Sequence, residues 1–319
     1  MDQSVIVDRG RLRRKLSFWR VLAALLIVGL GFALYSATAG DFASRALRPH
    51  IARVTVSGLI QDDTELQERL EKIAENDQVK ALIVSISSPG GTTYGGERLY
   101  YSIREVAEKK PVVSSIRTLA ASAGYMIATA GDTIIAGETS ITGSIGVLFQ
   151  YPQVRELMDK LGISLQSIKS SPLKAEPSPF TDASEEAKAM IRAMVMDSYD
   201  WFVDLVAERR NMPRSEALRL ADGSIYTGRQ ALKAKLVDRL GDEPEIRAYL
   251  EEKGVTADLP IIDWEAPRSS SLLFFSDALS RLINLVGYGD FIRAEDLRNL
   301  TGEKLFLDGL ISVWQVGRD

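Results

Sequence analysis

Short β-branched runs alternate with helix-period stretches through the middle of the chain. Val54–Val56 and Ala81–Ile86 read as strands, and the second is apolar enough to be buried on both faces. Between them, Thr64 to Glu75 carries Leu66, Leu70 and Ile73 at helical spacing, with Thr64 as the expected N-cap. Gly95 to Glu108 reads as a second helix, Val112–Ile116 as a third strand, and Ala123 to Ala130 as a short helix of small residues. Thr133–Ala136 and Ile145–Leu148 read as strands, Val154 to Leu161 as helix, and Leu165–Ile168 as strand-like. Ser184 to Arg210 is a long helix in which Met190, Met194 and Trp201 are packing positions, against the core or a second subunit. This rhythm predicts an α/β class, with parallel strands joined by right-handed crossovers. No internal repeat is visible, so the domain is expected once.

The N-terminal pattern is different. Val21 to Gly40 carries no charge, and about 20 apolar residues span a hydrocarbon core of about 30 Å. Arg11, Arg13, Arg14, Lys15 and Arg20 precede it, which predicts a cytoplasmic N-terminus and an extracytoplasmic remainder. Ala37-Thr38-Ala39 also has the form of a leader cleavage site, so an anchor and a cleaved segment are both readable here. The expected organisation is a basic cytoplasmic segment (1–20), a transmembrane anchor (21–40), a linker (41–53), a folded domain (54–264) and a tail without evident role (265–319). Within the tail, Ser270 to Phe275 is Ser-rich then apolar, and Asp277 to Val286 could be amphipathic through Leu279, Leu282, Ile283 and Val286.

Composition removes several classes of chemistry. The chain has 319 residues, a formal net charge of −4, no cysteine and one histidine. Its Lys and Arg are interleaved with Asp and Glu, unlike the basic face of a nucleic-acid binder. The lack of cysteine excludes disulfides, thiolate catalysis and Cys-based zinc sites. His50 follows the apolar segment beside Pro49 and reads as a solvated linker histidine. Catalysis here has to run without histidine, and no cofactor is expected.

The remaining candidates lie at strand ends. Ser87-Ser88-Pro89-Gly90-Gly91 follows the strand Ala81–Ile86. Its glycines either make an ordinary turn or present backbone N–H groups to an oxyanion. Ala120-Ala121-Ser122-Ala123-Gly124 follows Val112–Ile116 and puts Ser122 where a helix begins. That position suits a nucleophile, because unpaired N–H groups favour developing negative charge. It equally suits a plain serine N-cap. A serine hydroxyl needs a base, and without histidine a carboxylate, a lysine or water remains. A lysine serves if burial favours its neutral amine. Lys174 lies in a run with Pro172, Pro177 and Pro179, a stiff segment that suits a positioned base, although exposed lysines are common in such loops.

Taken in order, SPGG, AASAGY, TSITGSIGV, KAEPSPF and YTGRQAL…LVDRLGD resemble the signal peptide peptidase A family of serine peptidases (family S49), in its short form with a single catalytic domain. The resemblance runs from about Val54 to Asp242. It implies Ser122 as nucleophile, Lys174 as general base and Ser144 as the serine that orients the lysine. It implies an oxyanion hole from the Gly91 and Ala123 N–H groups, with Gly90 shaping the turn. It further implies a Clp protease/crotonase-like spiral of βαβ units after one transmembrane helix. The family is anchored in the bacterial inner membrane with its catalytic domain on the periplasmic side, forms homo-oligomeric rings, and degrades remnant signal peptides and other apolar peptides. The chain departs from the family pattern at Lys235, where glycine is common, and at Thr92-Thr93-Tyr94, which is bulkier than usual beside the expected oxyanion hole. A crotonase-type acyl-CoA enzyme and a non-catalytic membrane scaffold of the same fold are the rival readings.

Overall fold

Strands β1 (His50–Ile60), β2 (Val79–Thr92) and β3 (Val112–Ala121) form the centre of a parallel sheet, with Val54 opposite Val84 and Val84 opposite Ser114. The computed structural model describes residues 47–265 and 311–313, together with Trp19, Leu26 and Gly29. The segment 1–20 and the expected anchor 21–40 lie, apart from those three residues, outside the described residues, as do Ser270 to Phe275 and Asp277 to Val286.

Helices α1 (Thr64–Glu75) and α2 (Thr93–Ala107) connect the three strands in turn. After β3 come α3 (Ala123–Ala128), β4 (Thr133–Ala136), β5 (Ile141–Gly143), α4 (Arg155–Lys160) and α5 (Glu185–Arg209). Then follow α6 (Arg214–Leu220), β6 (Ile225–Thr227), α7 (Gly228–Lys233), β7 (Arg239–Leu240), α8 (Glu243–Glu252), β8 (Ile261–Asp263) and β9 (Ile311–Val313). The sheet order is β6-β5-β3-β2-β1-β8, with β4 also on β3, β7 on β4 and β9 on β2. All pairings are parallel except β5–β6 and β2–β9.

The central strands are long because they bend. Register shifts fall between Ser57 and Leu59 in β1 and between Ile86 and Ser88 in β2. Such irregularities kink a strand and increase its twist. β3 consequently serves two neighbours: residues 113–116 pair with β4, and residues 119–121 pair with β5. The bends fall where the functional motifs begin.

Both faces of the central strands are buried, as the apolar run Ala81–Ile86 requires. One face packs Leu82, Val84 and Ile86 against Leu66 and Leu70 of α1, Leu99 and Ile103 of α2, Met126 of α3 and Phe202 of α5. The other packs Ile51, Ile83 and Val113 against Ile246, Tyr249 and Leu250 of α8. Arg210 ties the end of α5 to the loop before β7 through a bidentate pair with Asp238.

Several local expectations differ from the structure. β1 begins at His50 rather than Val54, and His50 is fully buried, so it is not a solvated linker residue. The Trp264 indole donates to His50 Nε2 at 3.0 Å and stacks on the ring, and Nδ1 lies 2.8 Å from the Arg48 carbonyl. With Nε2 accepting, these partners assign the neutral tautomer protonated on Nδ1. His50 therefore joins β1 to the far end of the domain, a contact invisible in linear sequence. The N-cap of α1 is Asp63, which accepts from the Leu66 N–H at 2.9 Å, not Thr64. Ile145–Leu148 forms no strand; only Ile145 is buried, and the strand lies earlier, at β5. Leu165–Ile168 is irregular and largely exposed, and pairs with no strand among the described residues.

Candidate active site

Ser122 sits between the end of β3 and the start of α3, with φ 57° and ψ −118°. A non-glycine residue held there costs about 1–3 kcal/mol and persists only when its surroundings enforce it. The enforcement is visible. The Ser122 N–H donates to the Gly143 carbonyl at 2.9 Å, and its carbonyl accepts the Met126 N–H at 2.9 Å. Its hydroxyl lies 3.5 Å from the Gly146 carbonyl. This strand–turn–helix placement is that of a nucleophile elbow. Ser122 is 2% exposed.

Small residues let the neighbours close in. A Cβ on Gly124 would lie 2.9 Å from the Ser88 carbonyl, so α3 packs directly on the Ser-Pro-Gly-Gly turn. A Cβ on Gly91 would lie 1.8 Å from the Ile60 carbonyl, so β1 and β2 approach as only glycine allows. Gly90 adopts φ 112°, and its N–H is already donated to Ser88 Oγ at 3.0 Å. Gly90 thus shapes the turn, which leaves Gly91 and Ala123 as the expected oxyanion donors. Ala123 is the first residue of α3 and is fully buried.

β9 adds an element that the sequence did not signal. Residues 311–313 run antiparallel to Gly90–Thr92, with Gly91 opposite Ser312, and lie beside α3. An extended piece of main chain therefore already borders the Gly90–Gly91 turn next to the helix that Ser122 starts.

Ser144 also has positive φ, 50°, and is mostly buried. Its N–H donates to the Ser224 carbonyl at 2.7 Å. Asp222 holds that turn by accepting the Ser224 N–H at 2.9 Å, and hydrogen bonds from Ser224 keep its carboxyl below the usual range. β5 is thus clamped between β3 and β6, which explains the Tyr226-Thr227-Gly228 motif: its register fixes Gly143 and Ser144. Ser224, and Asp222 through it, are contributors that motif reading missed, because the contact of Ser224 with Ser144 spans about 80 residues of sequence.

Lys174 is placed differently. It lies in an exposed turn, and its ammonium makes no hydrogen bond or ion pair among the described residues. The turn itself is built. Glu176 accepts from Lys169 Nζ at 2.5 Å and from the Ser178 N–H at 3.0 Å, closing the loop around Lys174. However, no residue from Gly146 to Glu186 is buried. The structure brings Ser122, Ser144, Gly90, Gly91 and Ala123 to one bend of the sheet and leaves Lys174 on a segment with no core contact. A cleft of about 280 Å³ beside that segment, between Phe149, Tyr151, Pro177 and α5, includes none of these residues. Among the described residues no cluster of His, Asp and Glu could hold a metal ion.

Comparison with known proteins bears on the same region. The model of peptidase family S49 matches residues 104–256. The putative protease slr0021 of Synechocystis is 38% identical over 203 residues, covering 63% of this chain and 73% of the relative. The putative signal peptide peptidase SppA of Enterococcus faecium is 33% identical over 229 residues, 67% of each chain. Protease 4 of Haemophilus influenzae is 30% identical over 201 residues, which cover 60% of this chain and 32% of that longer protein.

Proposed function

Because the chain belongs to peptidase family S49, the family of the signal peptide peptidases, we propose that it is a membrane-anchored serine endopeptidase that works through a Ser122/Lys174 dyad. The observation that carries this reading is Ser122 held at a strained elbow against the Gly90–Gly91 turn. A serine that only caps a helix accepts a backbone N–H with its side chain; Ser122 makes no such cap bond.

The neutral amine of Lys174 takes the Ser122 proton as the hydroxyl oxygen attacks a peptide carbonyl. The N–H groups of Gly91 and Ala123 hold the tetrahedral oxyanion. The lysinium then protonates the leaving amine, the C–N bond breaks, and an acyl-enzyme forms. Water, deprotonated by the same amine, releases the acid product and returns the Ser122 hydroxyl. Ser144 orients Lys174 throughout.

Lys174 reaches Ser122 when its segment is packed, and a second copy of the chain supplies the missing contacts. Exposed Leu157, Leu161, Leu173, Phe180, Met194 and Met196 along this part of the chain support that assembly. A ring of subunits and the βαβ spiral of the Clp and crotonase folds complete the reading. The substrate lies extended against Gly90–Thr92, as residues 311–313 do, and its class is remnant signal peptides and other apolar peptides. Residues 21–40 anchor the enzyme in the bacterial inner membrane, with the domain on the periplasmic side.

Cleavage of a fluorogenic signal-peptide sequence by detergent-purified protein tests this proposal. Wild type is expected to cleave, and folded Ser122→Ala and Lys174→Ala are expected to be inactive. Full activity in Lys174→Ala would assign the base elsewhere, and an inert wild type would favour the scaffold reading.

A further inference from the structure

We infer that Ser88 is a positioning residue: its buried hydroxyl fixes the bend that sets the oxyanion turn against the nucleophile helix. This rests on the peptidase reading above. Ser88 is fully buried and lies just past the register shift that bends β2. Its Oγ donates to the Gly58 carbonyl at 2.7 Å, and Gly58 lies within the matching shift of β1, at φ 70°. The same Oγ accepts the Gly90 N–H at 3.0 Å, and the Gly90 carbonyl is 3.3 Å away. The hydroxyl therefore links the two bends, where the parallel ladder is interrupted and main-chain bonds alone do not set the geometry.

The rest of Ser88 faces the nucleophile. Its carbonyl lies against Gly124, where a Cβ would come within 2.9 Å, and Ser88 pairs with Ala120 two residues before Ser122. One residue thus touches the turn that carries Gly91 and the strand and helix that flank Ser122. The motif uses serine here because this fully buried position needs one atom that both donates and accepts. Alanine would leave the Gly58 carbonyl and the Gly90 N–H without this partner. The Gly90 N–H would then lose the bond that fixes its peptide at the bend, and the strand pairings of Gly90 and Gly91 alone would set the aim of the Gly91 N–H. An oxyanion donor acts only when it is already aimed at the developing charge.

The test compares wild type, Ser88→Ala, Ser88→Cys and Ile246→Val. The last trims a buried side chain of α8 on the other face of the sheet. Ser88→Ala is expected to lower kcat about 10- to 100-fold with KM nearly unchanged, somewhat less than deletion of an oxyanion donor. Its affinity for a peptide aldehyde, whose adduct carries the oxyanion, falls by the same factor. Ser88→Cys keeps a weak donor and acceptor, falls in between, and serves if Ser88→Ala does not fold. Amide exchange of Gly90, read without turnover, accelerates at least about tenfold in Ser88→Ala. Ile246→Val loses stability and keeps kcat. The inference is overturned by unchanged kcat and aldehyde affinity, by a kcat loss that Ile246→Val shares at equal thermal destabilisation, or by unchanged Gly90 exchange. Wild type without Ser122-dependent turnover overturns the peptidase reading and this catalytic role with it.

Discussion

At the scale of single residues, the strain sits at Ser122, the proposed nucleophile. Its positive φ opposes stability, and the bonds it donates to Gly143 and accepts from Met126 oppose relaxation. Glycine tolerates that conformation and alanine does not. Ser122→Gly is therefore expected to unfold at a higher temperature than Ser122→Ala, by about 1 kcal/mol of stability, while both lack turnover. Thermal unfolding of the two variants side by side checks this, and equal stability would mean that the elbow is not strained. The motif letters around Ser122 were readable in the sequence. The strain was not, because it depends on a carbonyl 21 residues away at Gly143.

At the scale of elements, the Lys174 loop is held by charge rather than by packing. The hydrogen bond from Lys169 holds the Glu176 carboxyl below its usual 4.5, helped by the Ser178 N–H. A carboxyl whose folded value is depressed stabilises fully above its unfolded value, and the contribution is lost as pH falls through the folded value. The loop is therefore expected to stay closed at neutral pH and to open only below the ordinary carboxylate range. Glu176→Gln imitates the acid state at neutral pH. It should make residues 169–176 more susceptible to limited proteolysis and lower kcat about tenfold through a misplaced base. Unchanged proteolysis would show that the ion pair does not hold the loop.

β9 gives a second prediction at the same scale. Residues 311–313 occupy the edge where the substrate is proposed to lie. A chain ending at Glu265 leaves that edge open, so its KM for an added peptide is expected to fall severalfold with kcat little changed. Steady-state kinetics of the shortened and full chains decide it, and an unchanged KM would mean that the segment does not compete with substrate. Pairing along a strand edge uses main-chain bonds, which any extended sequence can make. That is why the tail showed no signal in its residue pattern.

At the scale of the whole molecule, the two members of the proposed dyad are supported unequally. Ser122 rests on a sheet buried on both faces, and Lys174 on a segment with nothing buried. If a second copy completes the dyad, specific activity should fall on dilution in step with dissociation measured by sedimentation. Replacing exposed Met194 and Met196 with glutamate should have the same effect without unfolding the domain. Activity independent of concentration, with a monomer in solution, would require Lys174 to fold onto its own chain.

Local pattern determined much of this protein. The strand Thr133–Ala136 was legible to the residue and the helix Thr64 to Glu75 in all but its cap, because periodicity and burial agree there. Parallel pairing followed from the alternation of strands and helices, and family membership from five short motifs in order. The tertiary structure decided what depends on distant partners. It moved the linker boundary to His50, because Trp264 closes over that ring. It left Leu165–Ile168 exposed and without a strand partner among the described residues. It put Ser224 under Ser144 and residues 311–313 beside Gly91. Sequence reports the preferences of neighbours along the chain; the bends, clamps and strain of the site arise where residues far apart along the chain compete for the same few carbonyls and N–H groups.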